Sequence, residues 1–280
     1  MRRAKDTYPA IACIALMLTS SPARSVELEP ATAEAFRRYV EKTEERIRGE
    51  VADPQRFLHL DGLAQKQRSA LMTHVHNGHV FIQAMRTTSS GKEIEVPDGL
   101  VHHWLAVGFI PGVSLEQAVA LAQDYPRQPQ LYAPDVQRTR VLAHNGGHYA
   151  VEFRFYRKAI VTAVYNAEFT TDYYLPDAAH GYCFARAVRI AEVQNPGKRD
   201  EKEYPVGNDH GYLWRLNLYT RYLERDNGVY IQIEFLALSR TVPSIFAWLV
   251  NPYVRSIPRE YLAQYLMKTR KALAQTNKPS

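Results

Sequence analysis

From Val101 to Ser239 long apolar-alternating runs are separated by very short turn signals, and few folds accommodate such a pattern. Val101–Phe109 reads as a first strand, ended by Pro111-Gly112. Ser114 then has the chemistry of a helix N-cap, with Gln117 completing a capping box, and Leu115, Val119 and Leu121 predict about three helical turns. The proline-rich stretch Tyr125–Pro134 turns the chain. Six further strand candidates follow: Val136–Ala143, Tyr149–Tyr156, Ile160–Thr170, Gly181–Val193, Tyr212–Glu224 and Val229–Ser239. Asn145-Gly146-Gly147, Arg157-Lys158, Asp177 and Asn227-Gly228 supply turns. Connections this short join antiparallel neighbours, because a parallel pair needs a long crossover.

The last hairpin carries its own expected register. If Asn227-Gly228 is a two-residue turn, Asp226 faces Val229. Leu216, Leu218, Thr220 and Tyr222 then meet Ser239, Ala237, Phe235 and Ile233 on one face. On the other face Arg221 falls opposite Glu234, an arrangement that favours the pairing.

The flanks are helical. Phe36, Tyr39, Val40, Thr43 and Ile47 recur at helical spacing within residues 31–72, which Gly49 and Asp53-Pro54 interrupt. A second helical stretch runs from about Leu63 to Leu71. Val75–Met85 reads as a hairpin around Asn77-Gly78, and polar Thr87–Pro97 as a linker. At the other end an apolar segment, Val242–Val254, precedes a helix from about Pro258 to Ala274, capped by Ser256. Its expected buried stripe is Ile257, Tyr261, Tyr265, Leu266, Thr269 and Leu273.

Residues 1–25 have the three-part plan of a secretory signal peptide: basic Met1–Lys5, the short apolar run Ile11–Leu18, and small residues up to Ser25. Ala23 and Ser25 place the cut before Val26, so the protein is expected to be exported, either periplasmic or secreted. The leader holds Arg2, Arg3, Lys5 and Arg24 against Asp6, so the 35 basic and 29 acidic residues of the whole chain fall to 31 and 28 without it. That residual charge gives no reason to expect a nucleic-acid partner. Cys183 is the one cysteine after the leader, so the fold rests on its core and not on disulfides. No apolar run reaches the ~18 residues of a membrane-spanning helix.

The order strand, short helices, six antiparallel strands and one long helix resembles the helix-grip (SRPBCC) superfamily of START lipid-transfer domains, polyketide cyclases and plant pathogenesis-related allergens. The best local match is the end of the chain: Tyr212-Leu213-Trp214-Arg215-Leu216-Asn217, Ser239-Arg240-Thr241-Val242-Pro243, Trp248-Leu249-Val250-Asn251-Pro252 and Ile257-Pro258-Arg259-Glu260. It looks like the tail of exported START-like bacterial proteins. The resemblance implies an α+β fold, a curved antiparallel sheet wrapped around a long C-terminal helix with a cavity between them. It divides the chain into a signal peptide (1–25), an N-terminal helical extension and linker (26–96), a START-like domain (97–276) and a short tail (277–280).

Such a cavity implies binding of a hydrophobic, lipid-like small molecule, or an enzyme acting on a hydrophobic substrate; a third reading is an interaction protein using the extension. The apolar strand faces supply candidate lining residues: Leu105, Val107, Phe109, Phe153, Phe155, Phe184, Trp214, Leu216, Leu218, Tyr222, Ile231, Ile233 and Phe235. His103 shares a face with Val101, Leu105 and Val107 and must find a partner there; it reads first as a satisfied core histidine, with a polar anchor or general base as the functional reading, and His102 lies on the opposite side. Arg186, in phase with Phe184, needs a carboxylate or an acidic ligand if buried. His74, His76 and His79, and His144 and His148, lie around turns without metal-ligand spacing, so no metal is expected. Asn208-Asp209-His210-Gly211 reads as a turn. The chain lacks G-x-S-x-G, G-x-x-x-x-G-K-[ST] and G-x-G-x-x-G, so no nucleotide cofactor is expected. Ile245–Val250 reads first as a short buried helix before the last one; a cavity lid or a transient membrane contact is the functional alternative.

Overall fold

The structure, a computed structural model, describes residues 25–158, 162–241 and 244–276, the last segment with side chains from Arg259 to Gln275. Residues 1–24 of the expected leader, the side chains of the candidate lid Ile245–Val250 and the 277–280 tail lie outside the described residues.

Eight strands build the main sheet: β1 (Phe81–Ala84), β2 (Gly99–Pro111), β3 (Val136–Asn145), β4 (His148–Lys158), β5 (Thr162–Tyr174), β6 (His180–Gln194), β7 (Arg215–Glu224) and β8 (Gly228–Arg240). Their spatial order is β1-β2-β8-β7-β6-β5-β4-β3, and a ninth strand, Lys202–Glu203, pairs with β6. Every pairing is antiparallel. Bulges at Glu168/Phe169 and in β3 bend and twist this half of the sheet.

The helices are α1 (Pro30–Val51), α2 (Gln65–His76), α3 (Leu115–Gln123), α4 (Gln128–Leu131) and α5 (Ser244–Thr276). Helix α3 starts as expected: Ser114 Oγ accepts from the Gln117 amide at 3.2 Å and the Gln117 side chain accepts from the Ser114 amide at 3.0 Å. Helix α5 is longer than expected, absorbing most of the apolar segment that the sequence sets before it. Asn77-Gly78 ends α2 and does not turn a hairpin.

The last hairpin departs from expectation by two residues. Arg215 pairs with Leu238, Leu218 with Phe235, and Arg221 with Gln232. The turn residues are Asp226 and Asn227, both left-handed at φ 59° and 56°. Asp and Asn adopt that conformation more readily than other residues with a side chain. Gly228 is instead needed in the strand, because a Cβ there would stand 2.4 Å from the Ile110 carbonyl oxygen and 2.7 Å from the Phe109 ring. A slip of two preserves which residues share a face, so the apolar phase survives while the Arg221–Glu234 pair does not form.

Both faces of the central strands are covered. On one, Leu262, Leu266, Ala272 and Leu273 of α5 pack with Ala106, Ile110, Ile231, Ile233 and the α3 residues Leu115 and Val119. This is the helix face, and with it the α+β helix-grip architecture expected from the sequence is observed. On the opposite face, Phe36, Tyr39 and Ile47 of α1 pack on Phe184, Tyr219, Leu236 and Leu238. Beside them Phe57, Leu58, Leu60 and Val75 pack on Leu105, Val107, Leu223 and Tyr230. The N-terminal residues therefore form a second layer, the extension layer, and their own strand β1 edges the sheet.

Candidate functional site

Directly paired residues in an antiparallel sheet share a face, so the register assigns each candidate. Leu216 pairs with Ala237, Leu218 with Phe235, Thr220 with Ile233, and Tyr222 with Ile231, all on the helix face. Phe153 and Phe155 join this face through their partners Ala167 and Tyr165. His103, Leu105, Val107 and Phe109 point the other way, into the extension layer, as do Phe184 and Arg186; Trp214 packs there too, beside Phe36 and Leu238. Seven of the fifteen candidates, His103, Leu105, Val107, Phe109, Phe184, Arg186 and Trp214, thus face the extension layer.

The polar candidates on the extension face are satisfied by protein partners. His103 Nδ1 lies 2.9 Å from the Tyr39 hydroxyl and its Nε2 lies 2.6 Å from Glu234 Oε1. Arg46 also reaches Glu234, and Arg221 reaches Glu50 and the Phe57 carbonyl. Burial alone would raise the Glu234 carboxyl, but the His103 hydrogen bond and the Arg46 charge outweigh it and hold it at about 2. Arg186 finds its carboxylate in Glu44, at 2.7 and 2.9 Å, and Tyr219 donates to the same carboxylate at 3.1 Å. His103 and Arg186 are thereby corrected from ligand contacts to parts of the interface between sheet and extension. Their acceptors come from residues distant in sequence.

The helix face falls into two halves. In the first, between the described part of α5 and the β7–β8 hairpin, tyrosines fill the space. Tyr132 stacks on Tyr265 at 4.5 Å between ring centres, Tyr132 OH meets Thr269 Oγ1 at 3.0 Å, and Tyr125 OH meets Tyr173 OH at 3.2 Å. The cavity left among Tyr222, Thr220, Ile231, Tyr265 and Thr269 is about 10 Å³. That is room for a single water molecule. Cys183 lies buried in this half, and burial pushes its thiol up to about 11, away from the nucleophilic thiolate.

The second half, the trough, is a partly exposed aromatic surface. Phe169, Ile190, Leu216 and Ala237 form its buried floor, with Phe153, Phe155, Ala185, Ala187, Leu218 and Phe235 packed around them but only partly buried. Phe153 and Phe155 stack at 5.2 Å, and Phe169 meets both edge-on. Such aromatic packing adds to the area buried. The trough has polar groups that sequence reasoning passes over. His102, paired with Ala237, stands on this face and meets Ser239 Oγ at 2.9 Å. Burial lowers its imidazole to about 4, so it is neutral at pH 7. The Tyr165 hydroxyl is buried without a hydrogen-bond partner among the described residues. Across from Tyr165 stands Glu192, which takes His210 Nδ1 at 2.5 Å. Burial raises the Glu192 carboxyl, opposed by its bonds to His210. The alternation of 102 and 103 is plain in the sequence; which of the two meets the α5 side is not.

The histidines weighed as metal ligands make other contacts. His74 stacks on His79 and His76 on Phe109, while His144 stacks on Tyr149 and His148 meets Asp172 at 2.7 Å. Among the described residues no three His, Cys, Asp or Glu side chains converge as a metal site.

No protein-family model matches the sequence, and no curated protein matches it. Solved structures similar in shape include a STAR-related lipid transfer protein from Xanthomonas axonopodis, 14% identical, TM-score 0.44, covering 64% of this chain and 96% of that one. The Zhui aromatase/cyclase from Streptomyces sp. R1128 is 7% identical, TM-score 0.46, covering 64% and 97%. Human STARD10 is 11% identical, TM-score 0.44, covering 76% and 80%.

Proposed function

We propose that this protein binds a hydrophobic, lipid-like small molecule in the aromatic trough of the helix face. One observation carries the reading: Phe153, Phe155, Leu218 and Phe235 stay partly exposed on the same sheet face as α5, around a buried and unpaired Tyr165 hydroxyl. Fully burying a side chain of this size contributes about 1.5–3 kcal/mol, and an unpaired buried hydroxyl costs about 1–3 kcal/mol. A ligand with an apolar body and one acceptor relieves both. Neutral His102 offers a second polar contact for orientation. The domain that does this is taken as residues 97–276, with 26–96 as its outer layer. The leader at residues 1–25 supports action after export. A second reading, acid–base catalysis on the same ligand, rests on the Glu192–His210 pair opposite Tyr165.

Native mass spectrometry of the chain from Val26, prepared without detergent, tests the reading. The expected result is a one-to-one adduct of a few hundred daltons released into organic solvent. An unliganded mass together with no uptake of a hydrophobic fluorophore overturns it. A chemically altered product in the extract selects the catalytic reading.

A further inference from the structure

A second cleft lies outside the trough, at the far end of α5. It holds about 310 Å³ and is lined by Val80, Phe109, Ile110 and Leu266, with Arg270 and Lys271 among its walls. Strand β1 pairs with β2 only from Trp104 to Val107, so the next residues, Gly108–Ile110, open toward this space. The chain leaves α2 at Gly78 and forms the opposite wall. Gly78 and Val80 belong to the N-terminal extension, so the cleft exists only because that layer is present.

Its charge is one-sided. Arg270 donates to the Gly78 carbonyl at 3.1 Å. Neither Arg270 nor Lys271 forms an ion pair with a carboxylate among the described residues, whereas nearby Lys268 is paired with Asp135 at 3.2 Å. The floor is apolar, and Met267 at its margin is 64% exposed. An apolar slot ending in two cations without counter-ions complements a molecule with an aliphatic tail and an anionic head. The cleft is far larger than the single-water space among the tyrosines, with room for an aliphatic chain.

We propose that this cleft is a separate site for a single-chain aliphatic carboxylate, its tail on Val80, Ile110 and Leu266 and its carboxylate between Arg270 and Lys271. The proposal does not depend on the trough binding anything.

Decanoate below its micelle concentration is the probe, titrated into the full chain from Val26 and followed by calorimetry and amide NMR. Saturable one-to-one binding is expected, with shifts at Val80, Ile110 and Leu266, and decanol is expected to bind at least tenfold more weakly. Lys271→Glu, at an exposed position, should weaken decanoate at least tenfold, and Ala274→Trp should block it, both with unchanged thermal unfolding. Arg270→Gln is the third variant, because Arg270 also ties α5 to Gly78. Equal affinity for decanol, or shifts confined to Phe153 and Phe155, overturns the proposal; the latter would leave the trough reading standing. Binding to anionic vesicles without binding of monomeric decanoate overturns it too, in favour of a membrane surface.

Discussion

His103 Nε2 lies 2.6 Å from Glu234 Oε1 across adjacent strands, both side chains 1% exposed, beneath helix α1. The pair lies in a chain running from Tyr39 through His103 and Glu234 to Arg46, Glu50 and Arg221. A buried charge group of this kind is weak evidence for net stability, but breaking it is costly. It ties the extension layer to the sheet at one register.

Glu234→Ala is expected to destabilise the protein by about 3–5 kcal/mol, because it leaves His103 buried without its acceptor and leaves half-buried Arg46 with Glu50 alone. Urea unfolding measures this. A loss under about 1 kcal/mol would mean that water or Glu50 replaces the carboxylate freely.

Acid should weaken the fold in two limbs. His102 is held at about 4 against an ordinary 6.5, so between those values the unfolded chain binds more protons and stability falls as pH falls. Glu234 is held at about 2 against 4.5 and acts in the same direction over that lower window. Each contributes up to about 1.4 kcal/mol per pH unit. Glu192 and Asp209, both raised by burial, oppose them. His102→Gln should flatten the limb between pH 6.5 and 4, and Glu234→Gln the limb below 4.5. Unfolding midpoints that follow the same pH curve in the variants as in the parent would refute the assignment.

Phe153→Ala and Phe155→Ala should each weaken uptake of a hydrophobic ligand about tenfold, because each removes apolar area that the ligand would cover in the trough. Both side chains are only partly buried, so folding should persist. His103→Gln should leave affinity unchanged, because His103 faces α1. Fluorescence titration separates these outcomes, and a His103 effect as large as that of Phe153 would place the ligand on the other face.

Gly228→Ala should cost about 1–3 kcal/mol, since its Cβ meets a backbone oxygen and a ring that cannot both retreat. Gly146→Ala, where nothing stands within 4 Å, tests φ alone and should cost less. Thermal denaturation compares the two. Equal losses would mean that space at Gly228 is not limiting.

Much of the architecture is legible in local chemistry. The Ser114–Gln117 capping box forms as read, and the stripe of Phe36, Tyr39, Thr43 and Ile47 on α1 is buried as its spacing requires. Six strand candidates between Val136 and Ser239 all become strands of the main sheet. The errors are of a different kind. The turn expected at Asn227-Gly228 sits one residue earlier because Gly228 is needed for close approach to Ile110 and Phe109, a long-range demand that no turn rule contains. Glu192 and His210, 18 residues apart, carry no local signal of their pairing, because the long connection after β6 folds back to bring them together.

Local pattern dictates the long strands from Val101 to Ser239, the helical flanks, and the division of each strand into two sets of side chains. Period-two alternation survives any arrangement of the sheet, because it depends only on neighbouring residues. Which set meets the C-terminal helix is a matter of long-range packing alone. Strand β8 is buried on both sides, from Val229 through Glu234 and from Leu236 to Ser239, and a strand covered twice carries no sign of which cover is which. The extension layer claims the face of His103 and Arg186 through Tyr39 and Glu44, partners more than 60 residues away. That choice leaves His102, Tyr165 and the phenylalanines of β4 on the face where a ligand would bind.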